Sequence, residues 1–250
     1  MNSEVSVTYL EQSVENENTV AKTKRWVKRL LKVLLVLSVS LVALYFVARV
    51  IWRFSGSNQW ELVGEKKGLK VYTLKSPGSD LMQIRANLRV RSKLATIVRY
   101  MQDPETAKYY GAAWYGIGTE AGGQVAYNYV RYDYPFPFKP RDQALRISAF
   151  QNPDNKEVLV WVAAAPDKAP RNECCIRVTH MSNTWRCTPI GNGQVDIEII
   201  INMADGGWMP DEFVNWNRTD FAFVALEDLQ EVLDKENYRN AKLDYIKELD

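Results

Sequence analysis

The sequence predicts an α+β protein in which a curved antiparallel sheet wraps around a long C-terminal helix, preceded by one transmembrane helix. Three observations lead to this fold class. One apolar run stands near the N-terminus, the middle of the chain alternates apolar and polar residues with a period of two, and a long apolar helix pattern follows the last strand. The net charge of +2 over 250 residues gives no indication of nucleic-acid binding.

The first element is the apolar segment Leu30–Trp52. At about 1.5 Å per residue it is long enough to cross a hydrocarbon core of roughly 30 Å. Arg49 opposes insertion, but it lies near one end of the segment, where a long cation reaches the headgroups. The Lys and Arg residues before the segment outnumber those just after it, which predicts a cytoplasmic N-terminus.

This topology divides the chain into four parts. We expect a cytoplasmic tail over residues 1–29, a transmembrane helix over 30–52, a linker over 53–57, and a domain over 58–250 on the extracytoplasmic, periplasmic side. A cleaved signal peptide is the alternative. An anchor is favoured over it because no convincing small-x-small cleavage site precedes Gly56.

The strands follow from alternation. In "LMQIRANLRVR" the apolar residues Met82 to Val90 share one face and polar residues share the other, which predicts a half-buried antiparallel strand. The segments "VAYNYVRY", "EVLVWVAAA" and "QVDIEIIINM" indicate further strands. The segment "CCIRVTHMSNTWRCTPI" predicts a hairpin that turns near Ser182–Asn183.

Two helices interrupt this pattern. Ser92 is expected to cap a helix over "KLATIVRYM", and Asp103–Pro104 should end it. The second helix should begin at Pro210 and continue through "FVNWNRTDFAFVALEDLQEVLDK". Its predicted apolar stripe consists of Val214, Phe221, Ala225, Leu229 and Val232, widened by Phe213, Phe223, Val224 and Leu226.

The three cysteines are Cys174, Cys175 and Cys187. Their number and spacing fit neither a disulfide framework nor a zinc site. We therefore interpret them as small buried hydrophobic residues on strands.

Four segments, in this order, resemble a known family. They are "WELVGEKKGLKVYTLK", "YPFPFKPRD", "IRVTHMSNTWRCTPIGNGQVDIEI" and "ADGGWMPDEFVN". Together they resemble the StAR-related lipid-transfer (START) domain, particularly its bacterial members, over roughly residues 58–235. The resemblance implies a helix-grip fold around an apolar tunnel that holds one lipid or sterol and performs no chemistry on it.

The loop "YDYPFPFKPRD" is the first candidate site, because in that family the equivalent loop helps to form a gate over the tunnel. Its three prolines fix φ and remove backbone donors, so the loop cannot continue a strand ladder. Phe136 and Phe138 are expected to present apolar surface to the tunnel mouth or to the bilayer, with ordinary core as the alternative. Arg141 and Asp142 are candidates that more plausibly anchor the base of the loop than contact a ligand.

The remaining candidates follow from the resemblance and from position. Family pockets often hold a ligand hydroxyl or headgroup with an arginine and an acid, and Arg146 and Arg177 are the arginine candidates here. The register of Arg146 stays open, because a slip by one residue reverses its face. Trp208 could be a gate or a core plug. The complete set of predicted tunnel or gate residues is Phe136, Phe138, Arg141, Asp142, Arg146, Arg177, Trp208, Phe221 and Val224.

Two other functional classes remain open at this stage. Polyketide cyclases share the helix-grip fold, but a single histidine, His180, and the lack of HExxH and Gly-rich phosphate motifs favour binding over catalysis. A protein-interaction module with a filled pocket is the third possibility. We expect no cofactor, no metal and no nucleic acid, with a lipid and the membrane as partners, and the sequence names no protein partner.

Overall fold

A computed structural model describes residues 3–249, with side chains from residue 23 onward except that of Tyr110. Met1 and Asn2 of the predicted tail and Asp250 of the predicted domain lie outside the described residues. The chain divides into two compact units, Met1–Phe54 and Ser55–Asp250. Helix α1 (Ser3–Phe54) makes up the first unit, and its Thr23–Phe54 part is long and apolar enough to cross a membrane by length and composition.

The second unit contains one large sheet. Its strands are β1 (Trp60–Lys66), β2 (Leu69–Leu74), β3 (Gln83–Arg91), β4 (Ala113–Glu120), β5 (Val125–Tyr132), β6 (Arg141–Gln151), β7 (Val158–Ala164), β8 (Ile176–Arg177), β9 (His180–Gly191), β10 (Gln194–Ile201) and β11 (Met203–Ala204). The order is β1-β2-β3-β10-β9-β7-β6-β5-β4, with antiparallel neighbours throughout. Strand β8 pairs in parallel with β6, and β11 pairs with β9.

The helices of this unit are α2 (Leu94–Gln102), α3 (Asp211–Leu226), α4 (Leu229–Leu233) and α5 (Glu236–Arg239). Short 3₁₀ helices span Pro104–Tyr110, Ala121–Gly123 and Pro166–Lys168. Helix α3 contacts β2 and β3, so the sheet holds it as the fold class requires. The predicted α+β architecture of a curved antiparallel sheet around a C-terminal helix is confirmed.

The C-terminal helix is shorter than the sequence predicts. It begins at Asp211, with Pro210 as its N-cap residue, and ends at Leu226 instead of continuing to residue 235. Glu227 and Asp228 follow at the negative end of the helix dipole, where acidic side chains are unfavourable and do not support a longer helix. They form ion pairs with Lys66 and Lys67, at 2.5 and 2.6 Å, which hold the chain in its new direction.

Alternation gives the sheet an inner and an outer face. Ile84, Ala86 and Val90 of β3 are buried in the main core, as the sequence predicts, and so are Val195, Ile197 and Ile199 of β10. The inner face is the one that carries these residues. On β6 it carries Leu145, Ile147 and Ala149, whereas Ala144 belongs to a separate small cluster on the outer face.

Helix α2 is capped by a distant residue. The predicted helix is present, with Leu94, Ile97 and Val98 buried, but Ser92 is not the cap. The carboxylate of Glu248 accepts hydrogen bonds from the backbone N–H groups of Leu94 and Ala95, at 2.8 and 3.0 Å. A carboxylate from the C-terminal segment therefore satisfies the first turn of this helix.

The predicted hairpin turn near Ser182–Asn183 is wrong. Both residues lie inside the continuous strand β9, where they pair with β7. The turn comes later, at Asn192 and Gly193, which have φ values of 53° and 68°. An Asn-Gly pair with positive φ at both positions is the preferred two-residue hairpin connection.

The interpretation of the cysteines is right for one of three. Cys187 is a free, buried residue of β9, and burial raises the pKa of its thiol to about 12. Cys174 and Cys175 form a disulfide with each other in the segment before β8. They are therefore neither small core residues nor part of a strand.

Candidate functional site

The inner face of the sheet has two ends of different character. Strand register places Val130 of β5 opposite Gln143 of β6, Val162 of β7 opposite Asn183 of β9, and Ile201 of β10 opposite Ile84 of β3. These residues form one end, here called the open end, from which the loops 75–82, 133–140 and 202–210 extend. We call the opposite end the closed end. It contains the turn between β9 and β10 and the connection from β3 to α2.

Inner-facing residues are packed differently at the two ends. At the closed end Val90, Val158, Cys187 and Val195 are fully buried. At the open end Ile84 and Val162 are buried as well, whereas Val130, Met181 and Ile201 pack against the same apolar cluster and keep partial solvent exposure.

Aromatic side chains surround the open end. Phe138 lies 5.9 Å from Trp208 and 5.1 Å from Phe213, measured between ring centroids, and Phe213 lies 6.0 Å from Trp216. Tyr134 approaches Phe213 at 6.1 Å, and Phe136 in the same loop is 97% exposed. We call this group the aromatic rim; its members are Tyr134, Phe136, Phe138, Trp208, Phe213 and Trp216.

Arg141 ties the base of the proline-rich loop to its neighbour. The guanidinium is completely buried, and it donates to the carbonyl oxygens of Asp205 at 3.3 Å and Gly206 at 2.9 Å. It also donates to the carbonyl oxygen of Lys139 and lies over the ring of Tyr134. The side chain thus joins the loops 133–140 and 202–210, and its donors are used by backbone acceptors.

Asp142 and Arg177 pair with each other on the outer face. Arg177 Nε and Nη2 donate to the two carboxylate oxygens of Asp142, at 3.0 and 2.7 Å, and the Tyr129 hydroxyl donates to the same carboxylate at 3.1 Å. The hydrogen bond to Asp142 raises the pKa of Arg177. Arg146 follows Asp142 and Ala144 on this face, so alternation directs it away from the interior. The structure therefore does not place Asp142, Arg146 or Arg177 in a tunnel.

Phe221 and Val224 also fail to line the interior. They are 44% and 58% exposed on the outer side of α3. The buried side of this helix carries Val214, Ala222 and Leu226, with Arg218 between them. The buried stripe has a spacing of four residues. The sequence analysis included Val214 and Leu226 in its predicted stripe but omitted Arg218 and Ala222, because the charge of Arg218 interrupts the apolar pattern.

Arg218 forms a buried ion pair that the sequence analysis did not identify. Arg218 and Asp205 are 5% and 4% exposed, and Arg218 Nη2 lies 3.2 Å from Asp205 Oδ2. The hydroxyl of Tyr132 donates to Asp205 Oδ1 at 3.4 Å. Burial, and secondarily the charge of Asp205, raise the pKa of Tyr132 well above its ordinary value, so the hydroxyl stays protonated and can donate.

Five buried side-chain polar atoms have no hydrogen-bond partner among the residues that the structure describes. They include Nε of Arg218, a member of this ion pair, and Oε1 of Gln143. Gln143 follows Arg141 by two residues, on the inner face of β6.

The chain joins the second unit at the open end. The backbone N–H of Asn58 donates to the carbonyl oxygen of Lys75, and the buried Lys75 ammonium donates to the carbonyl oxygen of Ser55 at 3.3 Å. Gly56 has a φ of +118°, and a Cβ there would lie 2.3 Å from the carbonyl oxygen of Lys75. The segment that follows α1 is therefore held against the loop 75–82.

A concave site lies on the outer face of the sheet. It has a volume of about 520 Å³ and is lined mainly by charged residues of β2, β3, β9 and β10. Its charges pair across the strands, as Arg89 does with Asp196, and this contact lowers the pKa of Asp196. His180 is exposed elsewhere, with its ring next to the Thr179 hydroxyl. Neither feature offers unpaired buried polar groups.

Comparison with known proteins identifies the fold. No family model matches the chain. An uncharacterized protein of Pseudomonas aeruginosa is 24% identical over 180 residues, which cover 72% of this chain and 89% of that protein. Among solved structures, a STAR-related lipid transfer protein from Xanthomonas axonopodis matches with a TM-score of 0.63 and 22% identity, covering 70% of this chain and 99% of that structure.

Two human structures match at lower identity. STARD10 has a TM-score of 0.61 and 15% identity, covering 75% of this chain and 77% of that chain. StAR-related lipid transfer protein 5 has a TM-score of 0.56 and 14% identity, covering 78% of this chain and 96% of that chain. The helix-grip fold that the sequence resemblance implied is confirmed.

Proposed function

We propose that this chain is a membrane-anchored lipid-binding protein that holds one lipid or sterol-like molecule between the sheet and α3. The observation that carries this proposal is the partial exposure of Val130, Met181 and Ile201 on the inner face of the open end. Apolar side chains on the inner face of the sheet are partly exposed, and this favours the binding of an apolar molecule next to them. Burying each CH₂ of a hydrocarbon chain there stabilises the complex by about 0.8 kcal/mol.

The aromatic rim supports contact with a bilayer at the same end. Phe136, Trp208 and Trp216 are exposed, and exposed aromatic groups of this size often mark interaction surfaces. Trp is also enriched where membranes meet water, because its ring is apolar and its N–H is polar. A lipid that leaves a leaflet through this rim would exchange one apolar environment for another.

An anchor in α1 supports short-range action. Ser55, the first residue of the second unit, is held at the open end by Lys75, so an anchor in the preceding segment would tether the domain through this end. A tether also raises the effective concentration of the site at that membrane and disfavours long-distance shuttling. We therefore propose short-range transfer, presentation or sensing.

We further propose that the N-terminus is cytoplasmic and that the second unit lies on the periplasmic side, because basic residues concentrate before the apolar segment. We expect activity from a reporter fused after Asp250 when that reporter works only outside the cytoplasm. Activity of a reporter that works only in the cytoplasm would reverse this orientation. N-terminal sequencing of the mature protein separates an anchor from a cleaved signal peptide.

We propose binding without catalysis. The charged side chains near the open end are committed to structural contacts, with Arg141 on three backbone carbonyls and Arg218 on Asp205. General acid–base catalysis needs instead a positioned group that is free to exchange a proton with its substrate. The alternatives, a cyclase-type enzyme and an interaction module, are distinguished by the following experiment.

The test is native mass spectrometry of the full chain, extracted from membranes in a mild detergent. We expect one bound lipid per chain. Met181→Trp should reduce lipid occupancy, because the larger ring enters the space at the open end. Ile190→Trp on the same strand is the matched control, because Ile190 is exposed near the closed end and its replacement should leave occupancy unchanged.

Two outcomes contradict the proposal. A protein that carries no lipid and accepts none on incubation would favour the interaction module. An empty protein that converts an added polyketide or steroid would favour the enzyme.

A further inference from the structure

The disulfide between Cys174 and Cys175 lies in the segment that enters strand β8. A disulfide stabilises a protein mainly by closing a loop of chain, and the gain grows with the number of residues in that loop. Because these two cysteines are adjacent, their bond spans a single peptide unit and closes no such loop. Stabilisation of the fold therefore does not account for this bond, and its chemistry is the better explanation.

The bond is open to attack from solvent. Cys174 is exposed and Cys175 is half-buried. In thiol–disulfide exchange a thiolate must reach one of the two sulfurs, so the Cys174 sulfur is the accessible position, and exposed disulfides are the labile ones with regulatory or catalytic roles. The third cysteine, Cys187, is buried in β9 and cannot meet an incoming thiol.

Arg177 holds the chain on both sides of the disulfide. Its guanidinium pairs with Asp142 at 2.7 Å on strand β6. The same group also donates to three backbone carbonyl oxygens of the preceding segment, those of Pro166, Ala169 and Pro170, at 2.6, 3.1 and 2.7 Å. The stretch between Pro170 and Arg177 is thus fixed at its two ends, so a change in the cysteine pair has to be taken up within it.

Ile176 connects this stretch to the loops of the open end. Its backbone N–H donates to the carbonyl oxygen of Pro140 at 2.9 Å, at the base of the proline-rich loop. A Cβ placed on Gly207 would lie 2.5 Å from Cδ1 of Ile176, so this side chain fills the space beside the Gly207 backbone. Gly207 directly precedes Trp208 of the aromatic rim. Ile176 therefore contacts the loop before β6 and the loop before α3.

We propose that the Cys174–Cys175 disulfide is a reversible redox-modification site that exchanges with a dithiol and sets the mobility of the loop 202–210. A thiolate of the dithiol attacks Cys174 Sγ and forms a mixed disulfide, and the S–S bond breaks to leave Cys175 as a thiolate that takes up a proton. The second thiol of the dithiol then attacks the mixed disulfide and releases Cys174, which is protonated in turn. Two electrons pass from the dithiol, which becomes a disulfide, to the cysteine pair, which becomes two thiols.

The oxidised and reduced states differ in chain freedom. The bond joins the side chains of neighbouring residues and so restricts the backbone torsions of the peptide between them. Reduction removes that restriction, so Ile176 can withdraw from Gly207 and the loop 202–210 becomes more mobile. This inference does not rest on lipid binding, although under the proposed function reduction would also ease the passage of a lipid through the aromatic rim.

The first experiment treats the full chain, in a mild detergent and without added lipid, with dithiothreitol as the dithiol. After treatment at about pH 8 and removal of the reductant, iodoacetamide should label Cys174 and Cys175 of the folded chain and leave Cys187 unlabelled. Peptide mass spectrometry locates the labels. Oxidised glutathione, added in place of iodoacetamide, should restore the disulfide. Persistence of the bond until the chain is unfolded would overturn the proposal.

Hydrogen–deuterium exchange measures the effect on the loop. The amide groups of Ile176 and of the loop 202–210 should exchange roughly 5–10-fold faster in the reduced chain, as expected when the stabilisation of about one hydrogen bond is lost locally. The turn at Asn192 and Gly193 should keep its exchange rate, because it lies at the closed end. Equal loop rates before and after reduction would show that the disulfide does not control the loop.

Variants separate the disulfide from other effects of the reductant. The double variant Cys174→Ser and Cys175→Ser cannot form the bond, so its loop should exchange at the fast rate with or without dithiothreitol. Cys187→Ala is the matched control, because it keeps the disulfide and should respond like the unmodified chain. A response to dithiothreitol in the double variant would place the effect elsewhere and overturn the proposal. Since no lipid is added, none of these outcomes decides the proposed function, which the lipid-occupancy experiment tests separately.

Discussion

The open and closed ends of the same sheet differ in the burial and polarity of their inner-facing residues. At the closed end, inner-facing residues such as Val158 and Cys187 are fully buried and covered by apolar side chains. At the open end, the inner face carries Arg141, Gln143 and partly exposed apolar residues, and an ion pair lies beneath α3. Close packing stabilises the closed end, whereas the buried polar groups of the open end cost stability unless they are paired.

The largest expected effect tests the polar part of the open end. Asp205→Ala leaves the buried Arg218 without its counter-charge, so we expect the free energy of unfolding to fall by about 3–5 kcal/mol. Urea denaturation measures this loss. Asp196→Ala removes the acid of an exposed ion pair with Arg89 and should cost no more than about 1 kcal/mol. Similar losses for the two variants would mean that the Asp205 pair is not effectively buried.

The next prediction compares the two ends within one strand. Ile197 is fully buried and Ile201 is partly exposed at the open end, both on the inner face of β10. Ile197→Ala should lower the free energy of unfolding by about 2–5 kcal/mol, because it leaves a cavity in a close-packed core. Ile201→Ala should cost clearly less, since this side chain is already partly exposed to solvent. Equal costs in urea denaturation would remove the difference between the ends.

A smaller effect is expected from the cap at the closed end. Glu248→Ala removes the carboxylate that accepts from Leu94 and Ala95, and we expect a loss of about 0.5–2 kcal/mol, typical for a helix cap. Ser92→Ala should have little effect, because Ser92 does not cap the helix. A larger loss for Ser92→Ala than for Glu248→Ala in thermal unfolding would contradict the observed capping.

The smallest effect concerns thiol chemistry at the closed end. Burial raises the pKa of Cys187 to about 12, so in the folded chain this thiol should stay protonated and unlabelled by iodoacetamide at pH 8. Above about pH 9, near the ordinary value for a thiol, ionisation favours the unfolded chain, and stability should fall as pH rises. Mass spectrometry before and after denaturation detects the label. Rapid labelling of the folded chain would show that the closed end opens readily.

The repeating parts of the fold could be predicted from the sequence because each depends on local alternation. The strands β3, β5, β7 and β10 and the buried side of α2 all follow from apolar spacing. The end of α3 at Leu226 and the continuous strand through Ser182–Asn183 could not be predicted from the sequence, because both depend on tertiary contacts. Ion pairs to Lys66 and Lys67 accompany the first, and pairing with β7 extends the second.

The candidate site was predicted less well, for a similar reason. The roles of the proline-rich loop and Trp208 in a gate stay predictions, and they were chosen because aromatic and proline residues stand out in a sequence. Arg218 was missed because a charged residue in an apolar stripe suggests solvent, unless its partner Asp205 is known. The faces of Asp142 and Arg146 depend on the register between β5 and β6, which composition does not reveal.

The cap on α2 has a consequence for how the protein is made. Leu94 receives its carboxylate partner from Glu248, a residue 154 positions later in the chain. At roughly 5–20 residues per second, the ribosome needs about 8–30 s to cover that distance. During this interval the start of α2 emerges without its cap, so the closed end can be completed only late in synthesis, and chaperones have that time in which to bind it.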